Sequence, residues 1–270
     1  MADNASRKKV RIQHIQQAKD EGRPLTMLTA YDVMTASIFD RAGLDMLLVG
    51  DSMGNVVLGH PSTLPVQMED MERATAAVAR GAQHSFIVAD LPFGAYEAGP
   101  AHAFPNAARL MKAGANAVKL EGGEIRAETV HLLTESGIPV CGHLGYTPQS
   151  ENTIGGPRMR GRGDQHERML ADAKALQDAG AFAVVLEMVP ADLANEITAA
   201  LHVPTIGIGA GPGTSGQVLV WADMAGMTEW TPSFVRRFGE IGAALEQAAT
   251  DYVSAVTDGS FPATGNYHES

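Results

Sequence analysis

Eight short apolar, β-branched runs alternate along this chain with longer amphipathic stretches, and that alternation leaves few folds open. Strand patterns separated by helical ones read as βα units around a parallel sheet. The pattern predicts strands over Leu25–Ala30, Asp45–Gly50, Phe86–Ala89, Ala117–Leu120, Ile138–Gly142, Phe182–Leu186, Thr205–Ile208 and Gln217–Val220. Helices are predicted over Ile12–Asp20, Val33–Ala42, Met68–Arg80, Ala101–Ala113, Glu124–Ser136, His166–Ala179, Asp192–Leu201 and Pro232–Val256. Eight units close a (β/α)8 barrel, and 270 residues is a usual length for one. The expected fold class is therefore α/β, a (β/α)8 TIM barrel forming one domain over 1–270. A helical N-terminal extension covers 1–22 and a C-terminal tail covers 258–270. Gly43, Gly81, Gly114, Gly137 and Gly180 each fall at a predicted helix end, where glycine commonly forms a left-handed cap.

The charge balance narrows the partners. Lys plus Arg is 20 against 31 for Asp plus Glu, a formal charge of −11, which suits neither a nucleic-acid nor an anionic membrane surface. A lone cysteine, Cys141, forbids an intrachain disulfide and fits a reducing compartment. Residues 1–23 mix charges without an apolar core, unlike a secretory signal, and no apolar run approaches the roughly 18 residues of a membrane span. The expectation is a cytoplasmic globular protein that binds small molecules.

Acids recur where the strand patterns end. Asp51, Asp90, Glu121 and Glu187, with His143, follow five consecutive predicted strands. In a parallel barrel those positions rim the active site. One such acid could be a helix N-cap or a loop charge. Several that converge would repel one another unless a cation joined them. Asp51, Asp90 and Glu121 come from neighbouring strands and offer only oxygen, which favours a hard divalent ion, most simply Mg2+. Lys119 lies two positions before Glu121, so both side chains share one strand face, and Lys119 there suits an anionic substrate.

Two long loops follow on the same rim, 51–65 and 147–164. The second carries Arg158, Arg160 and Arg162 and reads as a lid or anion-binding segment. The glycine-rich run Thr205–Gly213 lacks the spacing of a dinucleotide fingerprint, and no P-loop, zinc spacing or nucleophile-elbow serine is present.

Six ordered blocks carry a resemblance. They are Leu28-Thr29-Ala30-Tyr31-Asp32 with Val49-Gly50-Asp51-Ser52-Met53-Gly54-Asn55, Asp90-Leu91-Pro92-Phe93-Gly94, Val118-Lys119-Leu120-Glu121-Gly122-Gly123, Gly142-His143-Leu144-Gly145-Tyr146-Thr147-Pro148-Gln149-Ser150, Leu186-Glu187-Met188-Val189-Pro190 and Gly207-Ile208-Gly209-Ala210-Gly211-Pro212. With these the chain resembles the ketopantoate hydroxymethyltransferase family over nearly its whole length. The resemblance implies a barrel of the phosphoenolpyruvate/pyruvate type that transfers a one-carbon unit from 5,10-methylenetetrahydrofolate to 3-methyl-2-oxobutanoate, giving 2-dehydropantoate on the way to pantothenate. It implies Mg2+ on Asp51 and Asp90, with Glu121 close to the ion directly or through water. Asp51, Ser52, Asp90 and Lys119 would bind the keto acid, His143 would belong to the substrate pocket, and Glu187 would accept the proton. A large homo-oligomer, a decamer of stacked pentamers, is also implied. An oxo-acid lyase or phosphonopyruvate-type enzyme would share the barrel and the metal, and a non-catalytic metabolite-binding barrel would share the barrel alone.

Two stretches depart from the family pattern. Thr214-Ser215-Gly216-Gln217 stands where Cys-Asp-Gly-Gln is common, and Gly155-Gly156-Pro157-Arg158-Met159-Arg160-Gly161 replaces Gly-Gly-(Tyr/Phe)-Lys-Val-Gln-Gly.

Overall fold

The computed structural model describes residues 7–268, so the first six residues of the N-terminal extension and the last two of the C-terminal tail lie outside it. Eight strands form a closed, all-parallel barrel in sequence order, β1 (Leu25–Thr29), β2 (Met46–Val49), β3 (Phe86–Asp90), β4 (Ala117–Glu121), β5 (Val140–Gly145), β6 (Ala183–Glu187), β7 (Thr205–Ile208) and β8 (Gly216–Leu219). The sheet closes by β1 pairing with β8, Leu25 opposite Gly216. The chain divides into two compact units, one running through Leu219 and the other beginning at Val220.

Strand alternation sorts the side chains. Met46, Leu48, Phe86, Val88, Ala117, Cys141, Ala183, Val185, Ile206 and Val218 meet inside the barrel, and Phe86 and Phe182 stack edge to face at 5.5 Å. The intervening Leu47, Ile87, Val118, Leu120, Val184 and Leu186 are equally buried, as expected for a sheet covered by helices on its outer face. The helix Ile12–Asp20 adds Ile15 and Ala18 to the interior cluster, which leaves the carboxyl ends of the strands as the open face.

The helices Ile12–Asp20 and Val33–Ala42 occupy their predicted bounds, and most other elements shift by a residue or two. The predicted helix over 124–136 is a 3-10 turn at Glu124–Arg126 followed by an α-helix at Ala127–Glu135. In the second unit the helix begins at Ile241 rather than Pro232, because Phe238 and Ile241 donate their backbone N–H groups to Met224 and Ala225 and hold the intervening chain in a turn. Gly43, Gly114, Gly137 and Gly180 take the expected positive φ. Gly81 does not. It ends the helix Met68–Gly81, where a Cβ would stand 2.5 Å from the Val33 carbonyl oxygen, so close packing of two helices requires glycine here. Among the described residues no helix is long and apolar enough to cross a membrane.

Asp40 shows how the outer layer is pinned to the barrel. This buried carboxylate accepts the backbone N–H groups of Gln83, His84 and Ser85 at 3.1, 3.0 and 2.7 Å and the Ser85 hydroxyl at 2.8 Å, just before β3. Burial alone would raise its pKa, but these four donors hold it below the usual carboxylate range. Its contribution is thus present above that range and fades as pH falls through the lowered value. Asp40→Ala strands three N–H groups and is expected to cost about 3 kcal/mol at pH 7 in urea unfolding. A change below about 0.5 kcal/mol, the usual effect of an inert surface substitution, would contradict this pinning role.

Candidate active site

The inward faces of the strands continue past the apolar layers into charge. Ala117, Lys119 and Glu121 share one face of β4, Phe86, Val88 and Asp90 one face of β3, Cys141 and His143 one face of β5, and Ala183, Val185 and Glu187 one face of β6. The parallel register then sets neighbours side by side, Asp90 opposite Lys119 and Glu121 opposite His143. His143 lies inside β5, which runs three residues beyond its predicted end. Past Gly142 the strand continues, and the missing Cβ there leaves room for the Leu176 side chain, 2.7 Å from where a Cβ would be.

The polar contacts form one buried cluster. Lys119 Nζ lies 2.9 Å from Asp90 Oδ1 and 3.3 Å from His143 Nδ1. His143 Nδ1 lies 3.4 Å from Glu121 Oε1, and His143 Nε2 lies 3.2 Å from Glu187 Oε2. The Asp51 N–H donates to Asp90 Oδ2 at 3.1 Å, and Ser52 shares a 2.8 Å hydrogen bond with Tyr31 Oη. All the sequence-predicted site residues therefore stand at the carboxyl ends of β2 to β6. Asp51, Asp90, Lys119, Glu121 and His143 are each at most 4% exposed, whereas the Glu187 side chain keeps 18%. Glu187 is the carboxylate of the cluster most open to an incoming molecule.

Electrostatics follow from burial and crowding. Burial, the Asp90 charge and the Glu121 charge push the Asp51 carboxyl up to about 8. Burial also raises Asp90, against the pull of Lys119. Lys119 is raised above its usual value because Asp90, Glu121 and Asp51 outweigh its desolvation. Desolvation and Lys119 push His143 down, yet its contacts with Glu121 and Glu187 prevail and bring it to about 9. Four carboxyl groups thus crowd around one ammonium and one imidazole.

A cation beside Asp51 and Asp90 would favour the ionised forms that their burial opposes. Asp90 Oδ1 touches Lys119 without an aligned hydrogen bond, leaving a buried oxygen with unused acceptor capacity beside Asp51. The donor set therefore fits a hard ion such as Mg2+, which binds through one or two carboxylates and keeps other positions for water or substrate oxygens. The three acids do not form a ready cage. Among the described residues no group of three or more His, Cys, Asp or Glu side chains is gathered as a metal site. Glu121 is turned away because its Oε1 meets His143 and its Oε2 accepts the Gln149 N–H at 3.1 Å.

Sequence reasoning passed over two buried residues in this cluster. Gln149, in a 3-10 turn at Pro148–Ser150, reaches Asp51 Oδ2 with its Nε2 at 2.8 Å, and Tyr96 donates to Gln149 Oε1 at 2.6 Å. A loop glutamine and a tyrosine carry no pattern by themselves, and only the folded loops bring them to the acids. Met188, directly after Glu187, is the single non-glycine with positive φ (50°) among the described residues. Its N–H is held by the Ile208 carbonyl at 2.9 Å and its own carbonyl accepts the Arg160 N–H at 2.9 Å, so the turn that aims Glu187 is fixed on both sides.

The long loops land unequally. Segment 51–65 contains the short helix Met53–Val56, and segment 147–164 contains the turn at Gln149 and a helix at Glu151–Ile154. Of its three arginines, Arg160 lines a cavity of about 270 Å3 together with Gly122, Gly145, Thr147 and Arg168. Arg158 and Arg162 are exposed. The divergent Thr214-Ser215-Gly216 stretch enters β8 at its amino end, on the face opposite the site, and Gly216 is required there because a Cβ would meet the Leu25 carbonyl oxygen at 2.5 Å.

Fold and cluster together define a class, a (β/α)8 barrel with a buried charged cluster on the carboxyl ends of β2 to β6. Solved structures of 2,3-dimethylmalate lyase, a PEP mutase/isocitrate lyase superfamily member (TM-score 0.63, 16% identity, 93% of this chain and 86% of that one), and of phosphonopyruvate hydrolase with oxalate and Mg++ (0.62, 15%, 95% and 93%) share the fold. Such identities carry the fold alone. The sequence model described as ketopantoate hydroxymethyltransferase matches residues 9–264. Proteins named 3-methyl-2-oxobutanoate hydroxymethyltransferase from Mycolicibacterium paratuberculosis (56% identical over 259 residues, 95% of this chain and 91% of that protein) and Mycobacterium ulcerans (54% over 264 residues, 97% and 89%) are close relatives. The chain belongs to the ketopantoate hydroxymethyltransferase family.

Proposed function

We propose that the protein combines 3-methyl-2-oxobutanoate, 5,10-methylenetetrahydrofolate and water to give 2-dehydropantoate and tetrahydrofolate, a step of pantothenate biosynthesis. The observation that carries this reading is the contact between Glu187 and His143 at the open edge of a buried cluster otherwise committed to a cation and an anion. Family membership supplies the identity of the substrates.

A Mg2+ held by Asp51 and Asp90, with Glu121 near it through water, would draw electron density from the oxygens of the keto acid and make its C3 proton more acidic. Lys119 supplies a fixed positive charge for the substrate carboxylate or for charge that develops on the keto oxygen, in a setting where water is largely excluded. Glu187 takes the C3 proton onto a carboxylate oxygen. His143 Nε2, 3.2 Å away, holds that carboxylate in place beside β5. Ser52, positioned by Tyr31, offers a hydroxyl to the same substrate. The one-carbon unit is transferred at the oxidation level of formaldehyde. Its C–N bonds to the folate break with uptake of one water, releasing tetrahydrofolate. The C3 carbanion bonds to the transferred carbon, and the water oxygen takes a proton to become the product hydroxyl. The reading extends to a cytoplasmic homo-oligomer, a decamer, on family resemblance.

Mixing the protein with keto acid, methylenetetrahydrofolate and Mg2+ tests the assignment. The expected product is 2-dehydropantoate, dependent on all three additions. Cleavage of an oxo acid without use of the folate would instead favour a lyase of the same barrel type.

A further inference from the structure

The cluster contains a hydrogen-bond circuit that none of its proposed chemical roles requires. Gln149 Nε2 donates to Asp51 Oδ2 at 2.8 Å and to the Leu91 carbonyl at 3.0 Å. The Leu91 carbonyl can only accept, so the amide orientation is fixed, with Oε1 toward Tyr96. Tyr96 Oη donates to that Oε1 at 2.6 Å and must therefore accept the Glu121 N–H at 3.2 Å. The Gln149 N–H closes the circuit on Glu121 Oε2 at 3.1 Å. Gln149 and Tyr96 are 6% and 1% exposed, and Arg126 lies over the Tyr96 ring at 5.2 Å from its centre. One glutamine thus ties the ends of β2, β3 and β4 to the loop after β5.

We infer that Gln149 and Tyr96 are positioning residues for the cation site, setting the separation and orientation of Asp51 and Glu121. Glu121 lies close enough to disfavour the charged form of Asp51, and Gln149 is the residue that contacts both carboxyl groups. The Gln149 amide holds Asp51 by its side chain and Glu121 through the backbone N–H, opposing that repulsion without adding charge. Hydrogen-bond partners that orient metal-binding carboxylates typically change affinity by about 10–100-fold when removed. This inference rests on the proposed metal role of Asp51 and not on the identity of the organic substrates.

Mn2+ binding to the full chain, read by loss of the free-ion electron paramagnetic resonance signal with no organic substrate present, tests it. Gln149→Leu is expected to weaken the Mn2+ dissociation constant by about tenfold or more, and Tyr96→Phe, which removes a single oxygen, by about threefold. Because both act along one chain of bonds, the double variant should be little worse than Gln149→Leu alone. At saturating metal, kcat should stay within about threefold of wild type while the KM for keto acid rises. Folded variants, judged by circular dichroism, that bind Mn2+ as wild type does would overturn the inference, as would a wild-type protein with no Mn2+ site. If Gln149→Leu fails to fold, Tyr96→Phe decides by itself. Should wild type fail to form 2-dehydropantoate while the Mn2+ shifts appear, the transferase reading falls and the positioning role stands.

Discussion

Glu187→Gln is expected to lower kcat by about 10²–10⁴-fold while leaving the fold and Mn2+ binding intact. Glutamine keeps the size of the side chain and an oxygen toward His143 Nε2, now 3.2 Å from the carboxylate, but it has no basic oxygen for a proton. Because the keto acid is held by other groups, its KM should change little. The effect should therefore fall on the rate and not on binding, the signature of an interaction made in the transition state. Equal turnover by the variant would remove Glu187 from the chemistry.

Asp51→Asn is expected to raise stability and abolish function. The Asp51 carboxyl sits near 8 because burial, Asp90 and Glu121 disfavour its charge. A folded-state pKa above the unfolded value means that the native protein holds the extra proton, so metal-free stability falls as pH rises from the ordinary carboxylate range toward 8. His143 acts in the same direction, since its folded value of about 9 gives stability present below its ordinary value and lost as pH climbs through 9. Metal-free protein should therefore melt at a lower temperature at pH 8.5 than at pH 6. A tenfold difference in proton affinity corresponds to about 1.4 kcal/mol, so removing the Asp51 charge is worth on the order of a few kcal/mol at pH 8. Tm should rise by about 5 °C or more in the variant, and its decline with pH should flatten. Asparagine still accepts from Gln149, so the hydrogen bond survives while the cation loses its ligand. Divalent metal should stabilise wild type and not the variant. A variant that melts below wild type at pH 8 would contradict the raised value of the Asp51 carboxyl.

These expectations grew from features of unequal visibility in the sequence. The barrel was readable because β-branched runs and amphipathic helices repeat with one period, and because glycines such as Gly43 and Gly114 punctuate the helix ends. The acids were readable because strand alternation is strict. A residue two or four positions beyond a core residue must face the same way, which places Asp90, Lys119, Glu121 and Glu187 inside the rim. Gln149 and Tyr96 were not readable, since their roles depend on where two irregular loops return over the strands. Nor was the hydrogen bond that Glu121 accepts from the Gln149 N–H. Gly81 was misjudged because a cap and a close helix contact ask for the same residue.

Exchange of the C3 proton of 3-methyl-2-oxobutanoate in deuterated water tests the central claim most directly, because it isolates proton removal from the folate step. With Mg2+ and wild-type protein, and no folate, the C3–H resonance should disappear far faster than in buffer, and Glu187→Gln should slow that loss to near the buffer rate. Exchange that proceeds equally well in the variant would contradict the assignment of Glu187. A wild-type protein that forms 2-dehydropantoate yet never exchanges C3–H without folate would show that the base is not poised until both substrates are bound, contrary to the arrangement of Glu187 against His143.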